Sequence, residues 1–283
     1  MKIFITGYSG FIGQYLAENL SNEYDVIKIN LRGFKELSDK KKKQLFKKLD
    51  NNDVILNCAA SLRPSDESDL YINTSFPIFL CDMIKKIRLK VKLIHLSSIN
   101  TLQDKLKDKY TTSKKKSDQI LIKNNVLLIR LPLIIEKDES GIIKPTGQIS
   151  IFYKYLQIKL PFYPMIYPGN LFNPVDIKDL FFFIKSLITK KNSKGIYNLF
   201  GECKVSSWHL FQEIAISKKK KIFKININQF LSYIPKKIKV IIFKYNFLYN
   251  IFGNINFSDI EENKTFIKYD NFKTFINKKY LNK

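Results

Sequence analysis

Cysteine is scarce in this chain of 283 residues: Cys58, Cys81 and Cys203 are odd in number, far apart, and form no Cys-x-x-Cys pair. That argues against a disulfide framework and fits a reducing cytoplasm. Histidine is scarcer still. With only His95 and His209, and no cluster at metal-ligand spacing, no bound metal is expected. Long apolar runs are also missing. The most apolar stretches, 180–188 and 238–252, are short or interrupted by Lys185, Lys239 and Lys244. Neither supplies the roughly 20 apolar residues of a membrane span. A strand pattern that begins at residue 2 leaves no room for a signal peptide, so the expectation is a soluble, cytoplasmic protein. Acidic residues are few, 25 Asp and Glu against 49 Lys and Arg, for a net charge of +24. Such a field attracts phosphates, nucleic acid or an anionic membrane surface. The Lys excess nevertheless runs along the whole chain together with Asn and Ile, which reads as a compositional bias. Runs such as 40–43 and 218–221 read as solvated faces. No aromatic–basic module points to nucleic acid, and none is expected as a partner. The basic amphipathic stretch 230–252 leaves weak peripheral membrane contact open.

Glycine is sparse as well, 10 in all, yet three fall within the first 13 residues. Lys2-Ile-Phe-Ile-Thr6 has strand character, Gly7, Gly10 and Gly13 follow, and a helical pattern (Phe11, Ile12, Leu16, Leu20) begins at once. A strand, a tight turn and a helix N-terminus form the arrangement that holds a dinucleotide pyrophosphate. Gly7 can take turn dihedrals, Gly10 lets the backbone approach the phosphates, and Gly13 lets helix pack on strand.

Strand-length apolar runs at 2–5, 25–29, 54–56, 91–96 and 126–129 alternate with helical patterns near 11–21, 38–49, 66–88 and 110–123. The alternation predicts an α/β, Rossmann-type, doubly wound parallel sheet. Beyond Pro132 the pattern loosens. Residues 137–174 carry five prolines and read as loops around a helix near 148–159. A helix follows Asp176, a strand lies at 195–199, a further helix at 207–217, and amphipathic segments near 236–251 and 270–280 complete the reading. The expected organisation is a dinucleotide-binding domain over 1–145, with 173–202 returning to it. A smaller, largely C-terminal subdomain for substrate comprises 146–172 and 203–283.

A second constellation is Tyr110-Thr-Thr-Ser-Lys114 at a helix start. Residues four apart share a helix face, so the phenol and the ammonium can address one cleft. A cation there, assisted by bound cofactor, favours the phenolate and should lower the Tyr pKa towards neutrality, which suits proton exchange with a carbonyl or alcohol. Ser98 ends a strand upstream, at the sheet edge where ligands bind in such folds, and can bond the same oxygen.

Together these residues resemble the extended short-chain dehydrogenase/reductase family, the nucleotide-sugar epimerases, dehydratases and reductases. Residues 6–13 are similar to the family's cofactor loop, in which Gly7, Gly10, Phe11, Ile12 and Gly13 would meet the dinucleotide. Asp53-Val-Ile-Leu-Asn57-Cys-Ala59-Ala60 resembles the strand and Ala-Ala turn lining the cofactor, and Asn73 matches an Asn of the next helix. Ser98, Tyr110 and Lys114 match the catalytic Ser, Tyr and Lys, the last two also cofactor contacts. Arg130-Leu-Pro132 resembles a later cofactor segment, and Val175-Asp176 with Asp179 a helix start. The resemblance implies an NAD(P)-dependent enzyme acting on a nucleotide-diphosphate sugar, with a homodimer as one option.

Departures from the family refine this. Where an NAD-preferring member places an acidic residue after the second strand, this chain has Asn30, followed by Arg32, which could pair with a 2′-phosphate. NADP(H) is therefore preferred, with NAD(H) open. The Ser98–Tyr110 segment is shorter than in epimerases, Leu133 replaces an Asn that touches sugar phosphates, and Ile99-Asn100 replaces the dehydratases' acidic pair. The NADPH preference and the short segment point to a 4-keto-sugar reductase, Ile99-Asn100 away from a dehydratase, and Leu133 to sugar-phosphate contacts made elsewhere. An epimerase with tightly held NAD stays open, as does a non-catalytic cofactor-sensing protein.

Overall fold

A computed structural model describes residues 1–226, apart from 88, 104–105, 168 and 191–193, and the strand 264–267. The amphipathic segments near 236–251 and 270–280, and the stretch 230–252, lie outside the described residues.

The chain opens β1 (Lys2–Thr6), α1 (Phe11–Leu20), β2 (Asp25–Ile29), α2 (Asp39–Gln44), β3 (Val54–Asn57), α3 (Glu67–Asn73), α4 (Ser75–Ile87), β4 (Lys92–Ser98), α5 (Lys109–Lys123) and β5 (Leu127–Leu131). It continues β6 (Ile134–Ile135), α6 (Ser150–Gln157), β7 (Tyr163–Tyr167), β8 (Leu171–Phe172), β9 (Val175–Asp176) and α7 (Ile177–Thr189). The remaining elements are β10 (Ile196–Gly201), β11 (Val205–Ser206), α8 (Ser207–Ser217), β12 (Ile222–Asn226) and β13 (Lys264–Ile267).

The main sheet has seven strands in the order β13-β10-β5-β4-β3-β1-β2, and every pairing from β10 to β2 is parallel. This is the expected doubly wound α/β sheet. The order reverses at β1, whose neighbours are β2 and β3, so the ligand-binding crevice of such a fold belongs beyond the carboxyl ends of β1 and β3.

Local sequence explains where the elements break. The helix expected over 66–88 is two helices. Pro77 can give no N–H to the Asn73 carbonyl four residues back, and its ring crowds that carbonyl, so the ladder stops at Thr74 and restarts at Ser75. The helix expected at 38–49 ends at Gln44 and continues in tight turns, with Phe46 N–H on Lys43 and Leu49 N–H on Phe46. Among the strands not foreseen are β7 and β12, which pair in parallel with Tyr163 opposite Ile222.

The chain forms two compact units. Among the described residues, one comprises 1–131, 177–199 and 264–265; the other comprises 132–176, 200–226 and 266–267. The breaks fall at 131, 176 and 199 rather than at the expected 145, 172 and 202. Pro132 therefore opens the second unit.

In the first unit, Phe4, Ile55, Leu93 and Leu128 line one sheet face and bury against Phe76, Leu80 and Leu121. The helix α7 is anchored by one side chain. Lys92 Nζ donates to the carbonyls of Leu187 (2.7 Å), Ile188 (2.9 Å) and Lys190 (2.8 Å), orphan acceptors where a helix ends. In the second unit, α6 and α8 close over Ile135, Ile149, Tyr163 and Met165 through Phe152, Leu156, Trp208 and Phe211.

Replacing Lys92 by Met should lower unfolding stability by about 1–3 kcal/mol, since three acceptors lose a charged donor. Urea unfolding measures this; an unchanged midpoint would show that the carbonyls find other donors.

Candidate active site

The three loop glycines meet different constraints. Gly7 has φ +70°, and a Cβ there would lie 2.5 Å from Ala59 N. A Cβ on Gly13 would lie 2.2 Å from Gly7 O, so a side chain would push the helix off the turn. At Gly10, the N-cap of α1, the nearest atom to an added Cβ is Gly7 O at 3.5 Å, an ordinary contact. The protein itself tolerates a methyl at Gly10; what glycine preserves there is open approach to the helix N-terminus, a cradle suited to phosphate. Phe11 and Ile12 are half-buried in the first turn of α1, whereas Leu16 and Leu20 are buried.

Behind this loop, Asn57 occupies the end of β3 and is fully buried. Its Oδ1 accepts from Thr6 Oγ1 (2.7 Å) and Ala59 N–H (3.2 Å). Those two donors orient the amide, so Nδ2 faces His95 Nδ1 at 2.9 Å. Nδ1 must then accept, and neutral His95 carries its proton on Nε2. Burial, with Lys114's charge second, holds His95 well below its ordinary pKa. His95 Nε2 has no hydrogen-bond partner among the described residues.

Asn73 is buried at the end of α3 and joins the loop after β3 to α5. It accepts from Ser61 N–H (2.9 Å), donates to Ser61 O (2.8 Å), and donates to Ser113 Oγ (3.2 Å), the neighbour of Lys114. Ala59 is buried and Ala60 exposed.

Ser98 ends β4 and caps the following short helix, accepting from Asn100 N–H at 3.2 Å. α5 starts at the Asp108 cap, which accepts from Thr111 N–H (2.9 Å) and Thr111 Oγ1 (2.7 Å). Tyr110 therefore stands in the first turn, hydrogen-bonded to Ser98. Burial pushes its pKa up to about 12, only partly offset by the Ser98 bond, with Asp118 and Asp108 adding to the rise. The expected phenolate calls on Lys114 together with bound cofactor; among the protein's own groups alone, burial dominates. Lys114 is buried and donates to Leu96 O at 3.2 Å, and its pKa is pulled down to about 8, first by burial, against the opposing pull of Asp118. Cys58 lies close enough to feel that charge, but burial pushes its thiol up to about 12.

Sequence reasoning missed Asp118 and its partner geometry. Asp118 accepts from Arg130 Nε at 3.0 Å, and Arg130 reaches Asn198 Oδ1 at 3.4 Å, all buried. The signal was present: an acid four residues after Lys114 on one helix face. Asn30 and Arg32 are both exposed at the end of β2, and Asn30 Oδ1 accepts from Arg32 N–H at 2.9 Å, an Asx turn. Among the described residues no group of His, Cys, Asp and Glu could hold a metal ion.

Residues 3–119 match the sequence profile of the NAD dependent epimerase/dehydratase family. No curated protein matches the chain in sequence. Among solved structures, dTDP-4-dehydrorhamnose reductase from Bacillus anthracis, in complex with NADP, superposes with a TM-score of 0.63 at 16% identity. That match covers 80% of this chain and 84% of that one. dTDP-glucose 4,6-dehydratase from the same organism, with NAD, gives 0.60 at 19% identity over the same shares. UDP-glucuronic acid 4-epimerase from Bacillus cereus, with NAD, gives 0.60 at 18% identity, covering 80% and 86%. At these identities the likeness establishes the fold.

Two outcomes follow from the geometry. Gly13→Ala should cost at least about 2 kcal/mol of stability, and Gly10→Ala less than about 1 kcal/mol, in chemical denaturation. Equal losses would contradict the distinction drawn between them. Lys114→Met should raise the melting temperature by about a few degrees at neutral pH, because it removes a buried charge. The sign follows from the depressed pKa. Below about 8 both folded and unfolded chains hold the proton and the burial penalty is full; it fades between about 8 and 10.5, where only the unfolded chain is charged. The gain from Lys114→Met should shrink over that window, and a variant less stable than the parent at neutral pH would overturn the reading.

Proposed function

We propose that this chain, whose residues 3–119 match the profile of the NAD dependent epimerase/dehydratase family, reduces the 4-keto group of a nucleotide-diphosphate sugar with NADPH. One observation carries the reading: Tyr110, hydrogen-bonded to Ser98, lies one helical turn from buried Lys114, at the carboxyl edge of the sheet.

The glycine loop fits a dinucleotide on this chain's own geometry, since Gly10 leaves the helix N-terminus open while Gly7 and Gly13 are filled by neighbouring backbone. Gly7, Gly10, Phe11, Ile12 and Gly13 would hold the pyrophosphate, and Asn57, Ala59, Ala60, Asn73 and Pro132 would line the cofactor. Bound there, a nicotinamide supplies hydride to the carbonyl carbon. Tyr110 gives its phenolic proton to the carbonyl oxygen as the C–O group becomes an alcohol. A Tyr whose pKa is pushed up to about 12 is protonated at neutral pH, the state a reduction needs at its start. Ser98 orients the oxygen, and Lys114 holds the nicotinamide ribose and offsets the charge left on Tyr110.

The preference for the phosphorylated dinucleotide rests on the end of β2. Asn30 offers a neutral amide already committed to the Arg32 backbone, and the Arg32 guanidinium is exposed for a 2′-phosphate.

Purified protein should consume NADPH stoichiometrically with a nucleotide-linked 4-keto sugar, followed by absorbance. Tyr110→Phe should lower that rate by at least about 100-fold. Arg32→Asp should shift the kcat/KM ratio towards NADH, and an unchanged ratio would defeat the 2′-phosphate argument. Sugar interconversion without net cofactor loss would indicate epimerisation instead, and failure to bind either dinucleotide would end the enzymatic reading.

A further inference from the structure

The second unit carries a surface that the proposed chemistry does not use. Ile158, Leu160, Phe162 and Phe223 are 52%, 40%, 54% and 57% exposed, a concentration of large apolar side chains on one loop and one strand. They are held together. The Phe162 and Phe223 rings lie 6.2 Å apart, and Tyr163 N–H bonds Lys221 O across the β7–β12 pair. The loop is pinned from beneath, because buried Tyr163 donates its hydroxyl to the carbonyls of Leu156 (3.1 Å) and Ile158 (2.6 Å). Tyr163 thus anchors the loop in the core while its neighbour Phe162 points outward.

The charge around these side chains has one sign. Lys159, Lys220, Lys221 and Lys224 are exposed beside them. Residues 140–175 contain Lys144, Lys154 and Lys159 but no Asp or Glu, and residues 214–258 contain nine Lys and no acid. A uniform compositional bias spreads Lys along the chain, but it does not clear the acids from these two segments. Mixed aliphatic and aromatic tips beside exposed ammonium groups, on segments that carry no Asp or Glu, match the boundary between anionic headgroups and acyl chains. Base stacking would use the rings but gives Ile158 and Leu160 no role. No helix among the described residues is long and apolar enough to cross a membrane.

We propose that the face formed by Ile158, Leu160, Phe162 and Phe223, with its surrounding lysines, docks the protein on an anionic lipid bilayer. This stands on the surface alone and is independent of the reductase reading.

Co-sedimentation of the full chain with phosphatidylcholine vesicles, with and without phosphatidylglycerol, tests it. Binding should require the anionic lipid and weaken as salt rises. The double variant Phe162→Ser/Phe223→Ser should bind at least about tenfold more weakly at an unchanged melting temperature, since both rings are exposed. The proposal is overturned by no binding, by equal binding to neutral vesicles, or by a double variant that binds like the parent. It is also overturned if the variant's melting temperature falls by several degrees, which would place the rings inside the chain's own packing. Binding to RNA with none to vesicles would assign the face to nucleic acid instead.

Discussion

The side-chain amide of Asn57 ties together the ends of three parallel strands, and the rest of the candidate site is built on that knot. Through Thr6 it holds β1, through His95 it holds β4, and through Ala59 N–H it fixes the first turn of its own loop. Ala59 is in turn the atom group against which Gly7 is packed with no room for a side chain. A single buried amide therefore sets the distance between the glycine loop and the loop after β3. Parallel sheets splay at their carboxyl ends where ladder hydrogen bonds stop, and buried polar groups there must be paired to be tolerated. Satisfying all of Asn57's oxygen and one amide hydrogen meets that demand while shaping the crevice.

The same interior carries a cost. Lys114 is a buried ammonium whose acceptor among the described residues is Leu96 O; burial loosens its proton, and burial first, then the Lys114 charge, depresses the pKa of His95. A stability-optimised core would place an aliphatic side chain there. Asp118, one turn further along α5, offsets part of the penalty, and Arg130 in turn neutralises Asp118. The arrangement is an alternating row of charges, Lys114, Asp118 and Arg130, in which each buried charge makes the next one tolerable. Such rows are expensive to maintain, which fits a function for the ammonium rather than a structural role.

What sequence reasoning could reach depended on whether the constraint was local. The strand Asp25–Ile29 and the helix Ser207–Ser217 lie where periodicity put them, and the Tyr110–Lys114 pair sits at a helix start because Asp108 caps it locally. The split at Thr74 was missed although its signal is local, since Pro77 forbids the bond to Asn73 regardless of tertiary context. β7 was not legible: Pro164 interrupts its pattern, and its partner β12 lies far along the chain. The elevated pKa of Tyr110 escaped for a related reason. Spacing placed Lys114 on the right face, but burial and the tie to Leu96 O are tertiary facts that no spacing rule contains.

The three glycines illustrate how one motif can merge unlike constraints. Gly7 is demanded by its own dihedral and by Ala59, and Gly13 by the carbonyl of Gly7; both would be required of a protein that bound nothing. Gly10 is required by neither, since an added Cβ would make only an ordinary contact. A residue type retained where the fold does not need it points outward, to whatever comes against the helix N-terminus. Within the loop, then, Gly10 is the position whose identity speaks for a ligand, and the other two speak for the packing that holds it in place.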